Sequence, residues 1–332
     1  MSNLEMRESD HFESGQDSRS PTPQFAATGE PSYGRTLLLG PDGLRPGWGL
    51  AFYALAFYIL QWFLVGLAYS RDLGYSGLWS SLLGEIGSLL AALVPALVLA
   101  RVERRRWREY GLPSHSAFGS QFWIGGLWGL AAISLLILLL FGARCFSFGH
   151  IALHSLRLAK FAVFWGVFFL IVGLFEEFLL RGYSQYTLAR GVGFWPAAVA
   201  LSCAFGLIHL KNDQEQWPGL LAAMLIGLFF CLTLRRTGNL WFAVGFHAAW
   251  DWGETFFYSV PDSGMTAPGH LLSSSLHGPV WLTGGTVGPE GSVLCFLVIA
   301  LVAVVFTKVH PVPRIPMHAQ SSVAINPTLP EP

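Results

Sequence analysis

The chain has 332 residues, 53% of them hydrophobic and only 12% charged, with 20 Lys and Arg balancing 20 Asp and Glu. A soluble globular domain carries about 25% charged residues, so this composition, with a mean hydropathy of +0.49, excludes an ordinary soluble domain. A net charge of zero with no clustered basic surface excludes a nucleic-acid partner.

Residues 1–45 are rich in Ser, Pro, Gly, Glu and Asp and lack any apolar period. They cannot bury enough surface to order themselves and read as a disordered tail. No apolar core follows the first Met, so the segment does not read as a cleaved leader. Residues 311–332, with several Pro and no periodicity, read as a second tail.

The region between them, 46–310, reads as an all-α domain of about eight transmembrane helices enclosing a polar cavity. The apolar segments are 48–69, 78–100, 119–142, 161–180, 194–210, 218–234, 240–258 and 292–307. In hydrocarbon a helix satisfies its own backbone hydrogen bonds, and a span takes roughly 20 residues. Lys and Arg in short loops set orientation. Arg101, Arg104, Arg105, Arg106 and Arg108 follow the second segment, and Arg181 and Arg190 follow the fourth. Arg235 and Arg236 follow the sixth, and Lys308 and Arg314 the eighth. These clusters share one side, which predicts a multi-pass protein of the plasma or inner membrane with both termini cytoplasmic and the 259–291 loop outside. Cys145, Cys203, Cys231 and Cys295 have no CxxC spacing and read as packing residues.

A charged side chain at the bilayer centre costs about 2.5–3.5 kcal/mol on insertion scales. The polar residues inside apolar segments are therefore the candidates for chemistry. On the fourth segment Glu177 and Arg181 are four residues apart and share a face in the favourable order, so they can pair. Glu176 lies about 100° round the helix and is free to point elsewhere. On the fifth, Phe205 and His209 share a face. On the seventh, His247 and Asp251 share another, with small Ala248 and Ala249 between them for close packing. Asp251 can fix the tautomer of His247, and Glu254 follows as an outlying member of that face. Glu85, on the second segment, is left outside the site. Glu and His can polarise a water as general base. Glu176, His209 and His247 can equally ligate Zn²⁺ or another divalent metal with one position open. A second His beside a polar neighbour can instead stabilise an oxyanion. There is no HExxH and no GxSxG.

The ordered set Glu176-Glu177…Arg181, Phe205…His209 and His247…Asp251 resembles the signature of the CPBP family of intramembrane proteases. That group comprises CAAX proteases and bacteriocin-processing enzymes and includes the type II CAAX prenyl endopeptidases. The resemblance covers roughly residues 160–255. It implies an eight-helix fold with a cavity opening to the cytoplasm and hydrolysis of a peptide bond in a prenylated or otherwise membrane-associated substrate. It further implies that Glu176 and His209 activate the water, that His247 and Asp251 stabilise the oxyanion, and that Glu177 and Arg181 hold the helix. The prenyl endopeptidases have Asn where this chain has Asp251, and an ionised carboxylate cannot donate to an oxyanion. Asp251 is then protonated, or orients His247, or binds metal. Two other readings are an inactive family member acting as scaffold or immunity factor, and a proton-coupled transporter whose buried acids and imidazoles form a relay. No internal repeat of the kind transporters carry is present.

Overall fold

The computed structural model describes residues 37–40, 43–70, 77–212 and 214–311. The expected tails therefore lie largely outside the described residues. Within the first, Leu39–Gly40 (β1) and Gly43–Leu44 (β2) form a two-stranded hairpin.

Most of the remaining described residues are helical. The helices are α1 Pro46–Tyr69, α2 Leu78–Val102, α3 Ser120–Gly142, α4 Ser155–Glu177, α5 Gln185–Val192 and α6 Phe194–Ile208. They continue with α7 Trp217–Thr237, α8 Trp241–Trp252, the single turn α9 Val280–Thr283, and α10 Val293–Val309. A small long-range antiparallel pair joins β3 Phe146–Ser147 to β4 Ser275–Leu276.

Six helices among the described residues are long and apolar enough to cross a membrane. They comprise α1, α2, α3, α6 with its 3₁₀ extension, α7, and the run from α4 through α5. The chain is thus a multi-pass integral membrane protein. The other two expected spans are shorter: α8 has 12 residues and continues through a five-residue π-helical turn to Phe257, and α10 has 17. A reason is visible in α8, whose residues Trp241 to Phe246 are all buried. A helix sheathed by other helices need not match the hydrocarbon thickness by itself. The fourth expected segment is also longer than its apolar run. A π-helical stretch, Phe178–Ser184, joins α4 to α5 and carries the helix on to Val192.

Hydrogen bonds define two faces of the bundle. At one, Arg105 donates to Tyr186 and Leu240 N–H donates to the Gly111 carbonyl. There too Arg236 donates to the His310 carbonyl. This arginine-rich face gathers the end of α2, α5 and the α7–α8 turn. At the other, Asn212 donates to the Ser263 carbonyl and Gln216 to Thr286, and β3 pairs with β4. The 259–291 loop makes up most of this second face.

The helix α8 is central because glycine lets its neighbours approach backbone to backbone. Side chains added at Gly125, Gly129 or Gly245 would collide with the carbonyls of Phe242, Phe246 and Phe122 respectively. The α3–α8 contact therefore has no room for a methyl group, the close-approach mode of small residues in membrane helices. On its other side α8 runs against α4, where Gly173 faces Val244 and Ala248, and Trp252 donates to the Ala162 carbonyl. Gly129→Ala should lower the melting temperature of the detergent-purified protein, the overpacking costing about 1–3 kcal/mol. Gly142→Ala, where a side chain meets nothing within 4 Å, should leave it unchanged. Equal melting of the two variants would remove close packing as the determinant of α8's position.

Candidate functional site: an acid–imidazole cavity

The fourth, fifth and seventh apolar segments bring their polar residues together. Glu177 and Arg181 form the expected i,i+4 ion pair, Oε1 to Nη1 3.2 Å, with both side chains 0% exposed. The guanidinium lies over the Phe205 ring, 4.3 Å from its centroid, and near Phe230 at 5.9 Å. Arg181 Nε and Nη2 have no hydrogen-bond acceptor, so the aromatic faces are the other partners of this buried cation.

Glu177 does more than pair with Arg181. The same Oε1 accepts from His247 Nδ1 at 3.0 Å. That contact makes Nδ1 the protonated nitrogen, because a carboxylate only accepts. Nε2 then faces Asp251 Oδ2 at 3.5 Å and Glu176 Oε2 at 3.6 Å. Asp251 approaches the nitrogen opposite to the one that fixes the ring. The shorter orienting contact comes from Glu177, a residue the sequence associates only with Arg181.

His209 is fixed similarly. Its Nδ1 lies 2.8 Å from the Phe205 carbonyl, so Nδ1 donates and Nε2 is left as a base. The Phe205 ring stands edge-on to His209 at 4.8 Å and to His247 at 6.2 Å. Phe230, from α7, stacks on His247 at 5.6 Å. Phe230 has no place in the sequence motifs, since α7 reads as a plain apolar segment.

Glu176, His209, His247 and Asp251 all line one cavity of about 420 Å³. Glu85, a carboxylate inside an apolar segment that the sequence reading leaves outside the site, lines it as well. Glu254 does not. It is fully buried behind the wall, and neither carboxylate oxygen has a hydrogen-bond partner. Two of the three site-bearing helices, α4 and α8, pass into π-helical turns directly after their polar residues, at Phe178–Ser184 after Glu177 and at Gly253–Phe257 after Asp251. Such turns cluster at functional sites. Within the first, Gly182 leaves helical geometry with ψ −109°.

A single Zn²⁺ needs ligand atoms about 2.0–2.2 Å away, hence close to one another. Among the described residues, Glu176, His209 and His247 do not gather their donor atoms within 4.8 Å; the group that does is Glu254, Asp262 and Glu290. As placed, the first three do not fit one metal ion. Asp262 lies in the loop, and its carboxyl is pushed well above the usual range, first by burial and then by Asp251 and Glu290.

The cavity extends toward the loop face. Its lining includes Leu78 and Ser81 at the start of α2, and Ser263 and Met265 in the loop. The cluster Arg101–Arg108 lies at and beyond the far end of that 25-residue helix, about 37 Å away at 1.5 Å per residue. The cavity lining thus lies toward the end of the bundle away from the arginine-rich face.

These features define a polytopic membrane protein with a helix-borne carboxylate–imidazole site. Residues 158–253 match the family model described as type II CAAX prenyl endopeptidase Rce1-like. The chain thus carries a domain of the CAAX-protease family, and the matched segment contains every motif residue from Glu176 to Asp251. Comparison with curated proteins gives no match.

Removing one member of a buried ion pair costs about 3–5 kcal/mol, because the other charge is left unpaired. Arg181→Met should therefore strongly reduce the yield of monodisperse protein. Combining it with Glu177→Gln, which keeps an acceptor for His247, should recover much of the loss. Additive destabilisation in the double variant would show that the pair does not act as a unit.

Proposed function

We propose that the protein is an intramembrane endopeptidase that hydrolyses a peptide bond in a membrane-associated or prenylated substrate. The observation that carries this reading is the convergence of Glu176, His209, His247 and Asp251 on one cavity within a CAAX-protease-family domain. Glu176 is the general base. It takes a proton from a water that also hydrogen-bonds to His209 Nε2, and the water oxygen attacks the scissile carbonyl carbon. In its doubly protonated form His247 donates from Nδ1 to Glu177 and from Nε2 to the resulting oxyanion. Collapse of the tetrahedral intermediate breaks the C–N bond, and Glu176 returns the proton to the leaving amine. Asp251 stands beside Nε2 and, when protonated, adds a second donor to the oxyanion. Glu177 and Arg181 position His247 and the helix that carries Glu176. Lipid surrounds the helices, and the substrate enters the cavity as a peptide segment.

The test is hydrolysis of a quenched-fluorescent prenylated peptide by the detergent-purified protein, with and without a strong chelator. Glu176→Gln should cut the rate at least 10²-fold, within the range general-base catalysis supplies, with melting unchanged. Asp251→Asn should retain activity, because the amide supplies a donor at the same position. Full activity of Glu176→Gln would remove it as the base. Activity lost with chelator and restored by Zn²⁺ would replace this mechanism with a metal-dependent one. No cleavage by the wild type would favour the scaffold or transporter readings, or a substrate without a prenyl group.

A further inference from the structure

A second acidic group lies beyond the matched segment. Glu254 sits in the π-helical turn after α8, Asp262 in the loop, and Glu290 in the turn before α10. One carboxylate oxygen from each lies within 4.8 Å of the others. Oxygens coordinated to one Ca²⁺ at 2.3–2.6 Å can be no further apart than about 4.6–5.2 Å, so the three are already within the span of one ion.

The second observation is Glu254 itself. It is 0% exposed, and both its oxygens are buried without a hydrogen-bond partner. A buried carboxylate in that condition calls for a proton or a cation. The other two are held in place from outside the cluster. Thr255 Oγ1 donates to Asp262 Oδ2 at 3.0 Å, and Trp250 Nε1 donates to Glu290 Oε1 at 3.2 Å. Ser263 donates to Glu290 Oε2 from its backbone N–H at 3.0 Å and from its hydroxyl at 2.5 Å. Among the described residues, no ion pair involves any of the three acids. Asp262 and Glu290 also line the cavity, which gives an ion a route to Glu254.

We infer that Glu254, Asp262 and Glu290 bind one hard divalent cation, Ca²⁺ above all, which ties the end of α8 to the 259–291 loop and to the start of α10. An all-oxygen, all-carboxylate donor set selects such ions over Zn²⁺. Ca²⁺ suits it better than Mg²⁺ because Ca²⁺ accepts flexible geometry from protein oxygens, whereas Mg²⁺ usually keeps several waters and Glu254 is sealed from water. The cation fixes the loop that walls the cavity. This assignment does not depend on the peptidase reading.

The experiment uses the full chain in detergent, stripped with chelator and then titrated with Ca²⁺, Mg²⁺ or Mn²⁺. Bound metal is counted by elemental analysis, and melting is followed in parallel. The expected result is about one Ca²⁺ per chain, with a melting temperature roughly 5–10 °C higher at a hundredfold excess over Kd. Glu254→Gln and Asp262→Asn should each lose both effects, while Glu109→Gln on the arginine-rich face keeps them. Tb³⁺ luminescence sensitised by Trp250 should appear in the wild type and vanish in Asp262→Asn. If Glu254→Gln does not fold, the wild-type stoichiometry and Asp262→Asn decide. No stoichiometric uptake of any of the three ions, or undiminished uptake in Asp262→Asn, would overturn the site and leave a cluster neutralised by protons.

Discussion

The site depends on one buried ion pair. Glu177 and Arg181 are both sealed from solvent, and each is engaged beyond the other. Glu177 fixes the His247 ring through Nδ1, and Arg181 lies against Phe205 and Phe230. Those two rings in turn contact His209 and His247. A charge pair inside a helix bundle is costly to desolvate. Here its two ends contact three helices, so the groups that neutralise it also set the positions of both imidazoles. Glu176, the residue just before Glu177, is thereby left turned to the cavity.

The parts legible in the sequence are those set by local periodicity in an apolar medium. Apolar runs gave α1, α2, α3 and α7 closely, because a lipid-facing helix has to be apolar along its length. The Glu177–Arg181 pair followed from four-residue spacing. The bond from Glu177 to His247 did not, because it crosses between helices 70 residues apart in sequence and helical spacing says nothing about azimuth between segments. Phe230 was illegible for the same reason, being one of many aromatic residues on an apolar face. The extension of α4 through Phe178–Ser184 to Val192 was hidden by the polar composition of its second half, although Gln185–Val192 is helical. That extension lets α6 begin at the arginine-rich face and end at the cavity. His209, at the foot of α6, therefore lines the same cavity as His247.

The loop acids escaped prediction for a different cause. Asp262 and Glu290 stand in a Gly- and Ser-rich segment without period, where any acidic residue reads as solvated. Their placement comes from tertiary hydrogen bonds, from Thr255 to Asp262 and from Trp250 and Ser263 to Glu290. Those donors lie on α8, its following turn and the loop itself.

A division of labour along the chain follows. The matched segment, 158–253, contains Glu176, Glu177, Arg181, Phe205, His209, His247 and Asp251. The far wall of the same cavity is built by residues after it, among them Asp262, Met265, Pro268 and Glu290. Groups of the first kind are held by helix-to-helix contacts that leave little freedom, such as the α3–α8 glycine approach. Groups of the second kind sit on a loop held by hydrogen bonds to helix ends. Binding and selectivity residues are disproportionately found on loops positioned by a rigid scaffold. A carboxylate–imidazole centre inside the matched segment and a cavity wall outside it are therefore separable here: substitutions in the loop can reshape what enters the cavity while the Glu177–His247 contact, more than ten residues away in sequence from that loop, stays in place.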